Sequence, residues 1–235
     1  MTKGTLYCLG LGPGDPELIT FKAWRYLCQC PVLAVPQDQA GRKTADGILR
    51  AAASLQPGLD LDAKDTVALD FPMTREAAVL AAAHEEAAKT LAAILDSGRD
   101  VALITLGCPT IYASCMYVEE KIAALGYATE IVAGVTSFCA VAARLGQSLC
   151  EKDDALLIFP ASRPDLPELL DVEANKVIMK VPRHTEALKE TLAEKGLLEG
   201  ASVVSRCGMA GEWAGKLTDM KDSAYFSVIL TGKSK

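Results

Sequence analysis

Apolar residues along the chain come in two patterns that take turns: short unbroken runs, and stretches spaced three or four apart. Leu6, Leu9 and Leu11, set among small residues, read as a buried strand that Gly12-Pro13-Gly14-Asp15-Pro16 stops abruptly. Leu18, Ile19, Ala23, Tyr26 and Leu27 then fall at helical spacing and predict a helix over residues 17–30, with Asp15 as its N-cap and Pro16 at its first position. Residues 31–36 form a second apolar run closed by a proline. Residues 44–55 carry Ile48, Leu49, Ala52 and Leu55 on one face, and residues 67–69 make a short strand. An alanine-rich helix is predicted over 75–97, capped by Thr74 and stopped at Gly98. Residues 99–106 are the clearest buried strand, broken by Gly107-Cys108-Pro109-Thr110. A helix over 111–125, a strand over 128–132, the turn Gly134-Val135-Thr136-Ser137 and a helix through Leu145 follow.

From Asp153 the pattern changes. Strand-like runs at 155–159, 177–181, 201–205 and 225–230 are interleaved with helical stretches at 165–170 and 185–195. The last two strands, with the loop 208–223 between them, suit an antiparallel pair. The chain is therefore expected to be α/β in two domains, 1–148 with a mainly parallel sheet and 149–235 with a smaller mixed sheet. In parallel sheets ligands gather at the carboxyl ends of the strands, so three glycine-broken strand ends point to one site.

The first glycine turn lets a ligand approach the backbone closely, because glycine has no Cβ and the first N–H groups of a helix lack partners. A dinucleotide fingerprint would need a third glycine where Asp15 stands, and a tight turn without any ligand is the plain alternative. Half of the 235 residues are hydrophobic and 23% are charged, as in ordinary globular proteins. The formal charge of −6 argues against nucleic acid or an anionic membrane as partner. No apolar stretch has bilayer-spanning length and no signal-peptide pattern opens the chain, which predicts a cytoplasmic protein. Eight cysteines, with Cys28 and Cys30 in a C-x-C rather than a C-x-x-C spacing and only His84 and His184 to join them, are expected to be reduced and to hold no metal.

The segments GLGPGDPELIT, TLGCPTIYAS, AGVTSFCAVAARLG, VIMKVPRH, SRCGM and AYFSVIL stand in the order and spacing of the tetrapyrrole methylases, which this chain resembles along nearly its whole length. The details Ala34-Val35-Pro36, Phe71-Pro72-Met73-Thr74, Val135-Thr136-Ser137-Phe138-Cys139 and Lys180-Val181-Pro182-Arg183-His184 are similar to the family's C-20 methyltransferases of cobalamin biosynthesis, which act on precorrin-2 or on cobalt-factor II. The resemblance implies a two-domain fold with a ligand cleft between the domains, S-adenosylmethionine as cofactor, a tetrapyrrole substrate and a homodimer. It implies cofactor contacts at Pro13, Leu106, Gly107, Cys108, Ile111, Thr136, Ser137, Met179 and Gly208.

Two positions depart from the family pattern: Cys108 stands for the usual aspartate, and Ala133 for the usual proline before GVTS. A cysteine keeps main-chain contacts but removes a carboxylate acceptor. In addition, Pro36 stands where the uroporphyrinogen-III enzymes carry an aspartate, which disfavours that substrate. A reduced tetrapyrrole's meso carbon is enamine-like and a sulfonium methyl is electrophilic, so the reaction chiefly demands alignment and exclusion of water. Tyr112, beside the cofactor loop, is the candidate to orient the substrate or move a proton. The substrate's acetate and propionate arms call for cations, and Arg75, Arg183 and His184 stand nearest to predicted strand ends, with Arg42 and Lys43 in the polar loop after the second strand.

Overall fold

The computed structural model describes residues 2–74, 76–221 and 226–232. It divides into two compact units, Met1–Thr136 and Ser137–Lys235.

The first unit is a five-stranded parallel sheet. Strands β1 (Thr5–Gly10), β2 (Val32–Gln37), β3 (Asp65–Asp70), β4 (Val101–Thr105) and β5 (Ala128–Val132) lie in the order β3-β2-β4-β1-β5. β1 pairs with β4 from Leu6↔Val101 to Gly10↔Thr105 and with β5 from Thr5↔Ala128 to Leu9↔Val132, so these three strands end at one edge. The sheet is covered by α1 (Phe21–Gln29), α2 (Thr44–Leu55), α3 (Ala77–Asp96) and α4 (Cys115–Ala124). Leu6, Cys8, Ala34 and Leu103 of the sheet close a core against Leu91 and Leu95 of α3 and Val118 and Ile122 of α4.

Three helices begin later than their spacing predicts, each for a local reason. Asp15 caps only one 3-10 turn, Pro16–Leu18, accepting from the Glu17 N–H at 2.9 Å; Ile19 is extended, and Thr20 caps α1 through the Ala23 N–H at 3.2 Å. The second, long helix starts at Ala77 because Glu76 is extended (φ −72°, ψ 107°), and the Thr74 hydroxyl takes the Glu76 N–H at 3.1 Å within the preceding turn. The third starts at Cys115 instead of residue 111, because Tyr112 takes a left-handed backbone (φ 52°) that no helix interior accommodates. Gly98 ends α3 as expected, at φ 80° and with its N–H on the Leu95 carbonyl at 3.0 Å.

The second unit opens with α5 (Ser137–Leu145), which buries Phe138, Ala140, Val141 and Ala142 and packs on the unit's own sheet. Its strands β6 (Leu156–Pro160), β7 (Asn175–Met179), β8 (Ser202–Ser205), β9 (Trp213–Lys216) and β10 (Ser227–Thr231) lie in the order β6-β7-β10-β8-β9. β6 and β7 are parallel, while β10 runs antiparallel to both β7 and β8. β9, antiparallel to β8, lies inside the segment that the sequence pattern leaves as a loop; Trp213-Ala-Gly-Lys216 is too short and too mixed to announce itself. Helices α6 (Leu166–Asp171) and α7 (Glu186–Glu194) complete the unit around Phe159, Leu170, Ile178, Leu192, Val203 and Ile229.

Candidate active site

Because β1, β4 and β5 run parallel in register, the loops that follow them leave the first sheet side by side. Glycine makes their contact possible. A Cβ on Gly134 would lie 2.2 Å from the Gly107 carbonyl oxygen and 2.9 Å from Gly10 Cα; one on Gly10 would lie 2.6 Å from the same oxygen and 2.7 Å from the Gly134 nitrogen. The three loops therefore meet backbone on backbone. Gly12 and Gly107 also exchange two main-chain hydrogen bonds of 3.2 and 2.8 Å, and the Leu11 N–H reaches the Thr105 carbonyl at 3.0 Å.

Gly107 is different. It sits at φ 70°, and the Cβ it lacks would meet nothing within 4 Å, so its backbone faces open space where a ligand can lie against it. Beside it, the Ile111 N–H closes a turn onto the Cys108 carbonyl at 3.1 Å. Pro13 is buried, and Leu106 and Ile111 are half-buried.

The Cys108 side chain is an acceptor. Its buried sulfur lies 3.1 Å from the Thr110 hydroxyl and also takes the backbone N–H groups of Gly134 and Thr110. Burial pushes this thiol up, but the three hydrogen bonds outweigh it and leave the thiol below its ordinary value. One side chain thus joins the loop after β4 to the loop after β5.

At the end of that second loop the Thr136 hydroxyl is buried without a hydrogen-bond partner. Such a group in a native structure calls for an explanation, and a bound ligand's polar atom supplies one. The open face at Gly107 and the orphaned hydroxyl of Thr136 together fit a ligand held by main-chain and hydroxyl groups, as S-adenosylmethionine would be.

Tyr112 stands half exposed in the same segment, on the strained backbone described above. The expectation of a long helix whose N-terminus feeds the first glycine turn is not met: α1 begins beyond Ile19 and Thr20, and its Ala23 N–H is taken by the Thr20 hydroxyl. The loops themselves, not a helix end, make this site.

In the second unit, Ser137 opens α5, Met179 is the last residue of β7 and half-buried, and Gly208 follows β8 at φ 74°. Gly208 is exposed, but its N–H is already committed to Glu212 Oε2 at 2.7 Å, and Glu212 also pairs with Arg144. Arg183 and His184 are exposed in the segment after β7, while Arg75 lies outside the described residues. Among the described residues no group of three or more His, Cys, Asp or Glu is placed to hold a metal ion.

Residues 5–220 match the model of the Tetrapyrrole (Corrin/Porphyrin) Methylases. The chain is 32% identical to a cobalt-precorrin-2 C(20)-methyltransferase of Salmonella typhimurium, covering 98% of this chain and 97% of that one. It is 31% identical to a precorrin-2 C(20)-methyltransferase of a Sinorhizobium species, over 97% and 94% of the two chains. Among solved structures, a cobalt precorrin-4 methyltransferase superposes with a TM-score of 0.72 at 22% identity, covering 97% of this chain and 94% of that one, which shows the shared fold.

Proposed function

We propose, since this chain belongs to the tetrapyrrole (corrin/porphyrin) methylases, that it transfers a methyl group from S-adenosylmethionine to carbon 20 of precorrin-2 or cobalt-factor II, a step of cobalamin biosynthesis. The observation that carries the choice of carbon is the end-to-end match to a C(20)-methyltransferase, 32% identical over 98% of the chain.

The cofactor, when bound, supplies an electrophilic methyl group. The chain's own part is placement. The main chain of Leu106, Gly107, Cys108 and Ile111, the Pro13 turn, and the hydroxyls of Thr136 and Ser137 would hold the adenosyl and methionine ends, and the family resemblance adds Met179 and Gly208 as cofactor contacts. Holding the donor still against a carbon that is already nucleophilic is worth more here than a strong base. Tyr112 orients the ring or takes the proton lost at the methylated carbon. Arg75, Arg183 and His184 receive carboxylate arms of the substrate. The enzyme acts as a cytoplasmic homodimer.

The test is anaerobic incubation with methyl-labelled S-adenosylmethionine and, separately, metal-free precorrin-2 and cobalt-factor II, reading label at carbon 20 by mass spectrometry and NMR. Label with the cobalt form alone places the enzyme in the anaerobic route, and label with precorrin-2 alone in the aerobic one. Bound S-adenosylmethionine with no label at carbon 20 from either would overturn the assignment and direct the search to other ring carbons.

A further inference from the structure

Among the described residues, four that are not glycine have a left-handed backbone: Tyr112, Lys152, Lys180 and Arg206. Two of them occupy matching places. Lys180, at φ 52°, immediately follows β7, and Arg206, at φ 55°, immediately follows β8. Both strands are antiparallel to β10, which lies between them, so they are parallel to each other and end at the same edge of the sheet. Two strand spacings put their ends about 10 Å apart.

A long cationic side chain is a poor choice for a left-handed backbone, and this unit uses glycine at comparable positions, Gly196, Gly208 and Gly211. Keeping Lys and Arg against that strain, next to Met179 on one strand and two residues before Gly208 on the other, marks the charges as functional rather than incidental. Both side chains are exposed. The Arg206 N–H is fixed on the Phe226 carbonyl at 2.9 Å, which anchors the backbone, and the guanidinium lies beside Gly211, where a Cβ would come 3.3 Å from its Nη1. Glu212, the carboxylate of the β8–β9 loop, is turned to Arg144 and the Gly208 N–H instead. On a chain of net charge −6, exposed Arg183 adds a third cation to the same edge.

We propose that Lys180 and Arg206, held at matching strand ends of the second sheet, form a carboxylate-binding pair that takes the acidic arms of a polyanionic tetrapyrrole. The proposal rests on the family reading of the chain but not on which ring carbon is methylated. The strained backbone aims each cation from a rigid strand end rather than from a mobile loop, so the pair sets the orientation of the ring as well as attracting it.

The test replaces each residue by asparagine, which tolerates a left-handed backbone and removes only the charge, and also makes Lys180→Arg and Arg206→Lys as charge-keeping controls. Uroporphyrin I, with eight carboxylates, and coproporphyrin I, with four, serve as stable probes; binding is read by fluorescence titration at low and high salt, alongside S-adenosylmethionine binding by calorimetry. The double asparagine variant is expected to bind uroporphyrin I at least tenfold more weakly, to lose most of the wild type's preference for it over coproporphyrin I, and to keep its S-adenosylmethionine affinity. The charge-keeping variants are expected to stay within about threefold of wild type. Unchanged uroporphyrin binding in the double variant would overturn the pair, and so would equal losses in the charge-keeping and asparagine variants. Weakened probe binding in a protein that methylates neither precorrin-2 nor cobalt-factor II would uphold the pair while overturning the carbon-20 reading. Carbon-20 methylation with an unchanged KM for the tetrapyrrole in the double variant would do the reverse.

Discussion

Replacing Gly134 by alanine tests whether the three loops of the first unit are locked through their backbones. The added Cβ would sit 2.2 Å from the Gly107 carbonyl oxygen and 2.9 Å from Gly10 Cα, with no flexible side chain able to step aside. Restoring an ordinary contact needs a displacement of about 1 Å. Overpacking of this kind costs about 1–3 kcal/mol. The displacement also endangers the two Gly12–Gly107 hydrogen bonds, each worth roughly 1 kcal/mol. The sum is about 3–5 kcal/mol, or roughly a 10 °C fall in the melting temperature of a unit of this size. Gly107→Ala is the internal control: its Cβ enters open space, so stability falls only by the cost of a left-handed alanine, about 1–2 kcal/mol. The order should reverse in part for ligand binding, because the Gly107→Ala methyl group projects into the open side that we propose holds S-adenosylmethionine. Scanning calorimetry on both variants, with titration calorimetry for the cofactor, reads the two effects separately. A Gly134→Ala protein melting within about 2 °C of wild type, or one less damaged than Gly107→Ala, would refute the backbone seam.

Three further outcomes follow from single groups. Thr136→Val raises stability by about 1 kcal/mol, since the buried hydroxyl has no partner in the protein and its desolvation cost is removed, but weakens S-adenosylmethionine binding about five- to tenfold in a calorimetric titration, the worth of one hydrogen bond. His84 stacks on Tyr117 at 4.9 Å with a buried, unpartnered Nε2, and burial, aided by Lys121, holds its pKa below 6.5. The unfolded chain therefore binds that proton more readily, and the stability is whole above pH 6.5 and lost as pH falls. His84→Phe, measured by urea unfolding from pH 5 to 7.5, should flatten this acid loss and add about 1 kcal/mol at neutral pH. The Cys108 thiol, held below its ordinary value of 9.0, releases its proton more readily in the folded state, so its contribution grows as pH rises toward 9. Cys108→Asp should carry that contribution fully at pH 7 and Cys108→Ala should lack it at every pH, as read by denaturant unfolding between pH 6.5 and 9.5.

Much of this fold is written in residue patterns that act locally. Apolar runs such as Val101-Ala-Leu-Ile104 can only be buried strands, and the helix over Thr44–Leu55 ends where its sequence signals place the ends. What escapes the sequence depends on partners far along the chain. The left-handed turn at Tyr112 delays α4 by four residues, and no local signal marks it, since tyrosine has no preference for that backbone. Likewise Asp15 and Pro16 are sound start signals, but they start one 3-10 turn, after which Ile19 goes extended and a second cap, Thr20, begins the real helix. The site shows the same division. The glycine loops and their strand ends are visible as motifs, whereas the crowding of Gly10, Gly107 and Gly134 and the orphaned hydroxyl of Thr136 exist only once three loops from distant parts of the chain stand together.

That crowding also explains how the site tolerates Cys108. If the loop after β4 depended on a carboxylate to hold its shape, a thiol there would loosen it. Instead the glycine seam and the paired Gly12–Gly107 hydrogen bonds fix the backbone without any side chain, and the residue at 108 has only to accept hydrogen bonds from Thr110 and Gly134. A buried thiol that is drawn below its ordinary value by those same donors fills the role, with strength that varies with pH where an aspartate's would not. Shape at this edge is therefore carried by residues without side chains, which leaves the unpartnered Thr136 hydroxyl available to meet a ligand.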